Sequence, residues 1–200
     1  MVGVAQGMND EALFEQVLSG NQQVLEELVT RYYGPLRGYF YRLIDGNLQD
    51  SEDLVQETFL RILRYKGKMP YSFRLWVYTL ARNLAYDRFR SASYKHEQVG
   101  DKTDLIEERD EYPTIHGVDT YNRLPEAKVI ERVSAEAVRE ELHRLPALQR
   151  EVIIMRFYGE MKLEEIATIT GCPLGTVKSR LFKGLQQYKK ILEEVENGNE

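Results

Sequence analysis

Apolar residues in this chain recur at three- and four-residue steps in two blocks, separated by a long acidic stretch without that period, and no window alternates as a half-buried strand would. Such a stripe returns about every 3.6 residues and must be buried against another helix, which restricts the chain to an all-α fold of two small helical domains. Leu13, Val17, Val24, Leu25, Leu28, Tyr32, Leu36, Tyr39 and Leu43 carry the start of the first block. With Gly20-Asn21 and Gly34-Pro35 as punctuation, they read as a helical hairpin or one longer bent helix. Ser51 stands three residues ahead of Leu54, with Glu52 and Asp53 following it, and predicts a helix start there and a helix to about Tyr65. Lys66-Gly67-Lys68-Met69-Pro70 predicts a loop, because Gly and Pro fall too close together for a helix to continue. Phe73, Trp76, Val77, Leu80 and Leu84 predict the next helix, roughly Ser72 to Arg90.

From about His96 to Pro125 the period is gone, and acids with Pro113, Gly117 and Pro125 predict an acidic flexible linker. Helical pattern resumes at Ala127, with Val138, Leu142 and Leu145 ahead of Pro146, then Val152, Ile153 and Met155 before Tyr158-Gly159. Leu163, Ile166, Ala167, Gly171 and Val177 fit a helix-turn-helix: small Ala167 lets two helices approach, Gly171 takes the turn's positive φ, and Val177 anchors the second helix. Thr176 is expected where that second helix begins, its hydroxyl and the free N–H groups facing a phosphate. The expected organisation is a disordered leader over 1–9, a helical bundle over 10–95, the linker over 96–129, a helix-turn-helix domain over 130–193 and a disordered tail over 194–200.

A net charge of -5 argues against nucleic acid only as an average. Between Arg61 and Lys95 nine Lys and Arg residues face the single acid Asp87, and between Ile166 and Leu192 Lys178, Arg180, Lys183, Lys189 and Lys190 face none. Glu97, Asp101, Asp104, Glu107, Glu108, Asp110 and Glu111 gather between these segments, so two DNA-facing surfaces separated by an acidic one are expected. No apolar run approaches the roughly 18 residues that span a bilayer, and no basic flank precedes an apolar stretch at the N-terminus, so a cytoplasmic protein without membrane insertion is expected. Cys172 is the single cysteine, and His96, His116 and His143 lack ligand spacing, so no metal or other cofactor is expected. Neither a Gly-rich phosphate loop nor a nucleophile-base spacing supports an enzyme.

Three stretches stand in a telling order: Asp53-Leu54-Val55-Gln56-Glu57-Thr58-Phe59-Leu60-Arg61, then Phe73-Arg74-Leu75-Trp76-Val77-Tyr78-Thr79-Leu80-Ala81-Arg82-Asn83, then Leu163-Glu164-Glu165-Ile166-Ala167 through Gly175-Thr176-Val177-Lys178-Ser179-Arg180-Leu181. Together they resemble the extracytoplasmic-function (group 4) sigma factors of the sigma-70 family, over about residues 10–95 and 130–193. The resemblance implies an alternative sigma factor that binds core RNA polymerase, directs it to the -35 and -10 promoter elements and helps melt the DNA. It implies as partners the clamp helices of the largest polymerase subunit, the flap of the second-largest, promoter DNA and an anti-sigma factor. A helix-turn-helix regulator acting outside the polymerase is the alternative, and it gives the Arg61–Lys95 segment and the Asp53/Glu57 face no role.

Asp53, Gln56, Glu57 and Leu60 share one helix face at i, i+3, i+4 and i+7, while Leu54, Phe59, Ile62 and Leu63 can turn to the core. Charge alone reads this as a solvated acidic face, and the resemblance implies docking on the clamp helices. In the next helix rings can stack on unpaired bases while cations meet phosphates. The resemblance implies that Asn83 reads an extruded -10 base, since its amide both donates and accepts, with Arg82, Asp87, Arg88 and Arg90 near the strand. Trp76 joins these candidates although it shares with Phe73 and Leu80 a stripe that reads as core, and the loop from Lys66 to Tyr71 is where the family gathers a flipped base. Beside Thr176, Lys178, Ser179, Phe182 and Lys183 form an arc expected to enter the major groove of the -35 element, while Leu181, Leu185 and Cys172 read as core. Many relatives carry Arg at the positions of Lys178 and Lys183; Lys lacks the bidentate fork and favours phosphate affinity over base discrimination. The linker matches by position the segment passing near the polymerase active site and RNA exit path, where its acids repel or mimic nucleic acid or serve as a solvated tether.

Overall fold

The computed structural model describes residues 7–44, 48–96 and 135–198, and every regular element among them is helical. The chain divides between Asp104 and Leu105 into two compact units. Apart from His96, the expected linker lies outside the described residues, as does the expected restart at Ala127.

The first unit contains α1 (Asp10–Leu18), a 3₁₀ turn (Gln22–Val24), α2 (Leu25–Leu43), α3 (Leu48–Arg64) and α4 (Phe73–His96). The Asn9 side chain caps α1 by accepting the Ala12 N–H at 2.8 Å, so the expected leader is already fixed at its last two residues. Arg31 of α2 donates to the Met8 carbonyl at 2.9 Å and to one Asp10 oxygen at 2.7 Å, and the Tyr32 hydroxyl donates to the other. Burial raises the Tyr32 pKa, and the Asp10 contact raises it further, so the hydroxyl stays a donor.

One open alternative closes and one sequence boundary shifts. Gly20, at φ 96°, does turn the chain, but α2 runs through Gly34-Pro35 because Leu28, Tyr32, Leu36, Tyr39, Phe40 and Leu43 are buried along its length. Packing outweighs the one backbone bond that Pro35 removes. Ser51 is not the start of α3: it is buried one turn inside, on the stripe with Val55, Thr58 and Ile62. α2 packs on α3, α3 on α4, and α1 closes against α2 and α4.

The second unit contains α5 (Ala135–His143), α6 (Ala147–Ile153), which continues as a π turn (Ile154–Tyr158), α7 (Leu163–Thr170) and α8 (Leu174–Gly198). Val138, Leu142, Leu145, Val152, Ile153 and Met155 are buried as their period predicts. α6 crosses α8 at Gly184, where an added Cβ would lie 3.0 Å from Ile153 Cδ1 and 3.2 Å from Gln149 Cβ. Buried Glu141 of α5 accepts the Tyr188 hydroxyl of α8 at 2.7 Å. α8 continues to Gly198 through most of the expected disordered tail, since Glu favours helix and Glu194 pairs with Arg144.

An aromatic cluster joins α1 to the loop that starts α4. The Phe14 ring, fully buried, lies 4.9 Å from Phe73, 5.0 Å from Trp76 and 6.0 Å from Tyr65 between centroids. Removing it is expected to cost about 3–5 kcal/mol. Phe14→Ala should lower the urea midpoint followed by the emission of Trp76, the chain's one tryptophan; an unchanged midpoint would show that the cluster does not hold the unit.

Candidate nucleic-acid interface

α3 turns Leu54, Val55, Thr58, Phe59 and Ile62 inward, and its other face stays open. Asp53 and Gln56 are exposed, with Asp53 accepting from Gln49 Nε2 at 3.0 Å. Glu57 accepts from Arg61 Nε at 3.0 Å, one turn away on the same helix. Leu60 is 43% exposed, and Leu63, expected in the core, is 38% exposed. At about 100° per residue, Leu63 lies a quarter-turn beyond Ile62 and falls off the buried stripe. The face brings together what the sequence placed there, carboxylates beside open leucine surface, with Leu63 added.

Ser72 starts α4: its Oγ accepts the Leu75 N–H at 3.4 Å, and the Glu11 carboxylate of α1 accepts the Phe73 N–H at 3.0 Å. Two free donors at the helix start are thereby satisfied. Phe73, Val77, Tyr78, Ala81, Leu84 and Ala85 are buried, and Asn83, Asp87, Arg88 and Arg90 are exposed. Asn83, Asp87 and Arg90 fall on one line, four and seven residues apart, with Arg88 on the flank beside α3, where it pairs with Asp50. Arg90 holds Asp87 at 2.7 Å, and Arg82 lies 4.3 Å over the Tyr86 ring. The arginines are thus all engaged within the protein. Trp76 sits half-buried in the aromatic cluster, 4.7 Å from Tyr65, consistent with the core stripe it shares with Phe73.

Between α3 and α4, Lys66, Lys68 and Met69 are exposed and Tyr71 is wholly so. Tyr65 donates to the Lys68 carbonyl at 2.9 Å, and a Cβ on Gly67 would lie 2.4 Å from the Tyr65 ring, so a side chain there would displace the ring. Tyr71 ends the loop that the sequence reading named, without being singled out in it. Its signal is an aromatic directly after Pro70, in a basic loop with no apolar period to bury it.

The helix-turn-helix is formed by α7 and α8. Gly171 ends α7 at φ 67°, with its N–H and that of Cys172 returning to the Ala167 carbonyl. At the other end of α7 the Glu165 carboxylate accepts the Lys162 N–H at 2.7 Å. Val177, Leu181 and Leu185 are buried as expected. Thr176 is a correction: α8 begins at Leu174, and Thr176 is 6% exposed with its N–H donating to the Pro173 carbonyl at 2.9 Å, so it neither caps the helix nor offers a free N–H. Ser179 is a second correction, buried at 7%, which narrows the open arc to Lys178, Phe182 and Lys183. Cys172 is half-buried beside the Arg180 guanidinium, 3.1 Å from Nη1, rather than a core filler.

A family model described as Sigma-70 region 2 matches residues 28–94, and one described as Sigma-70, region 4 matches residues 135–187. The chain is 28% identical over 189 residues to the ECF RNA polymerase sigma factor SigW of Bacillus subtilis, covering 90% of this chain and 95% of that one. It is 27% identical over 194 residues to the ECF RNA polymerase sigma-E factor of Haemophilus influenzae, covering 95% and 98%. Among solved structures it resembles the sigma factor RpoE in complex with the anti-sigma factor NepR from Bartonella quintana, with TM-score 0.60, 21% identity, and 84% of this chain and 96% of that one covered. It also resembles CnrH in complex with the cytosolic domain of CnrY, with TM-score 0.61, 21% identity, and 92% and 97% covered. At that identity the two structures speak for the fold.

Lys178→Ala and Lys183→Ala in the full chain should each weaken binding to duplex DNA and flatten log K against log salt by about 0.9 per lost phosphate contact. A slope that stays put while base preference shifts would make these lysines base readers instead.

Proposed function

This chain belongs to the sigma-70 family, as an extracytoplasmic-function member, and from that premise we propose how its open helix faces serve transcription initiation. It is an alternative sigma factor that directs RNA polymerase to promoter DNA. The region 2 unit, residues 10–95, holds core polymerase and the -10 element, and the region 4 unit, residues 130–193, holds the -35 element. The bond-making chemistry belongs to the polymerase, and this chain contributes binding and strand separation. Among the described residues no helix is long and apolar enough to cross a membrane. Its work on promoter DNA and polymerase assigns it to the cytoplasm.

The observation that carries this reading is the exposed line of Asn83, Asp87 and Arg90 on α4, in a unit distinct from the helix-turn-helix. A duplex-binding regulator needs one DNA surface, and a sigma factor needs a second that takes an unpaired strand. Asn83 offers a donor and an acceptor to a displaced base edge, while exposed Lys66, Lys68 and Tyr71 on the neighbouring loop offer charge and a ring to stack on it. Asp53, Gln56, Glu57 and Leu60 dock on the clamp helices, with Leu63 extending the apolar part of the contact. In the -35 complex Lys178, Phe182 and Lys183 meet the major groove, and buried Thr176 and Ser179 set the pitch of α8 from behind. Because RpoE and CnrH are bound to NepR and CnrY in the structures this chain resembles, an anti-sigma partner is proposed here as well.

Reversing charge at Asp53 and Glu57 together should leave helix content native and weaken binding to core polymerase at least about tenfold, a loss of about 1.4 kcal/mol. Native fold with unchanged core affinity would remove that face from the contact.

Asn83→Ala should reduce promoter opening by about five- to a hundredfold, the worth of about 1–3 kcal/mol for one base contact, with the defect concentrated at one -10 base. Permanganate footprinting of the holoenzyme on a natural promoter, beside the same promoter with a pre-melted -10 bubble, checks it. A variant that opens and transcribes like wild type on both templates removes Asn83 from the site. If the wild-type chain with core polymerase yields no reactive thymines at any promoter it binds, the sigma reading fails.

A further inference from the structure

Asp50 and Arg88 are 38 residues apart in sequence, yet their side chains pair across the α3–α4 contact. The pair is partly open to solvent, with Arg88 56% and Asp50 26% exposed at the side chain. Arg88 sits beside the Asn83–Asp87–Arg90 line, so a strand lying on α4 brings its phosphates within reach of this guanidinium. Two outcomes are then open to the pair. If Asp50 only aims Arg88, one guanidinium serves carboxylate and phosphate at once. Electrostatics opposes that arrangement, since the incoming phosphate meets a carboxylate on the same cation and the two anions repel at contact distance. Exchange, with the phosphate displacing Asp50, avoids the repulsion but forfeits the internal pair.

Building on the assignment of α4 as a strand-facing helix, we infer that Asp50 is an intramolecular competitor for Arg88, occupying the guanidinium that a DNA phosphate would otherwise take. Phosphate contacts supply affinity without regard to sequence. By muting one of them, Asp50 lowers the hold of the chain on any DNA and leaves the base contact at Asn83 untouched. The neighbouring Asp87–Arg90 pair, at 2.7 Å, applies the same brake from within α4.

Fluorescence anisotropy of the full chain with a labelled single-stranded oligonucleotide of scrambled sequence, over a salt series, tests the exchange. Asp50→Asn keeps the shape of the side chain and removes its charge. It should tighten binding by about two- to fivefold, the range an exposed ion pair supplies, and steepen the slope of log K against log salt by about 0.7, one strand phosphate. Asp50→Glu should bind like wild type, and the gain from Asp50→Asn should vanish in an Arg88→Gln background. Weaker or unchanged binding in Asp50→Asn overturns the inference, the first outcome marking Asp50 as a residue that aims Arg88. A gain that survives Arg88→Gln overturns it too, by showing that the charge of Asp50 acts at large. Promoter opening by the wild-type holoenzyme keeps the two levels apart: opened DNA together with an unaltered Asp50→Asn affinity sinks the role of Asp50 alone, and no opening at any promoter sinks the assignment of α4 on which it stands.

Discussion

The buried ring of Phe14 ties α1 to the end of α3 and to the start of α4. It packs on Tyr65 at the end of α3 and on Phe73 and Trp76 in the first turn of α4. The loop between those helices is therefore clamped at both ends by one cluster. On the same helix as Phe14, Glu11 accepts the first N–H of α4, so α1 both packs and caps the start of that helix. The exposed Tyr71 and the open line through Asn83 take their positions from this joint. Buried residues thus decide where the exposed candidate residues stand, because the backbone between them is short and held at its ends.

Much of this was legible because helices report their buried side every three or four residues. The α3 and α4 stripes, the end of α3 near Tyr65, the loop through Pro70 and the turn at Gly171 follow from periodicity and from the conformational limits of Gly and Pro. What escaped was set by tertiary packing. Gly34-Pro35 left a hairpin and one longer helix both open, and six buried side chains decide for the continuous α2; Ser51 reads as a cap, yet it lies on the stripe that α3 buries. Leu63 reads as core because it is leucine, and its angle on the helix puts it outside. Asn9, the cap of α1, and Glu11, which serves α4 from 62 residues away, carried no periodic signal.

Charge shows the same limit in a sharper form. Counting along the chain leaves the Arg61–Lys95 segment with one acid, and that count suggests a bare cationic surface. Folding brings Asp50 onto Arg88, and Glu57 onto Arg61, from outside that window. Tyr86 covers Arg82. Linear charge patterning picks out α4 as a cationic helix, but it overstates the field there, since an acid upstream in the sequence can be adjacent in space. A protein with net charge -5 can hold DNA without adhering to it everywhere, provided its cations are held until a base contact or a partner supplies the remaining free energy.

The second unit reaches a comparable economy through geometry. α8 buries Val177, Leu181, Leu185, Tyr188 and Ile191 along one side, and at Gly184 it approaches α6 closely enough that a Cβ would crowd Ile153 and Gln149. That side leaves α8 little freedom to roll, and the Tyr188–Glu141 bond fixes it further along. With Thr176 and Ser179 committed to the protein interior, the arc left for a groove is two lysines and the edge of Phe182. Neither lysine can make the bidentate contact by which arginine singles out guanine. On the proposed assignment, such a surface would hold duplex more than read it, and the burden of promoter choice would move toward α4, where exposed Asn83 can both donate and accept.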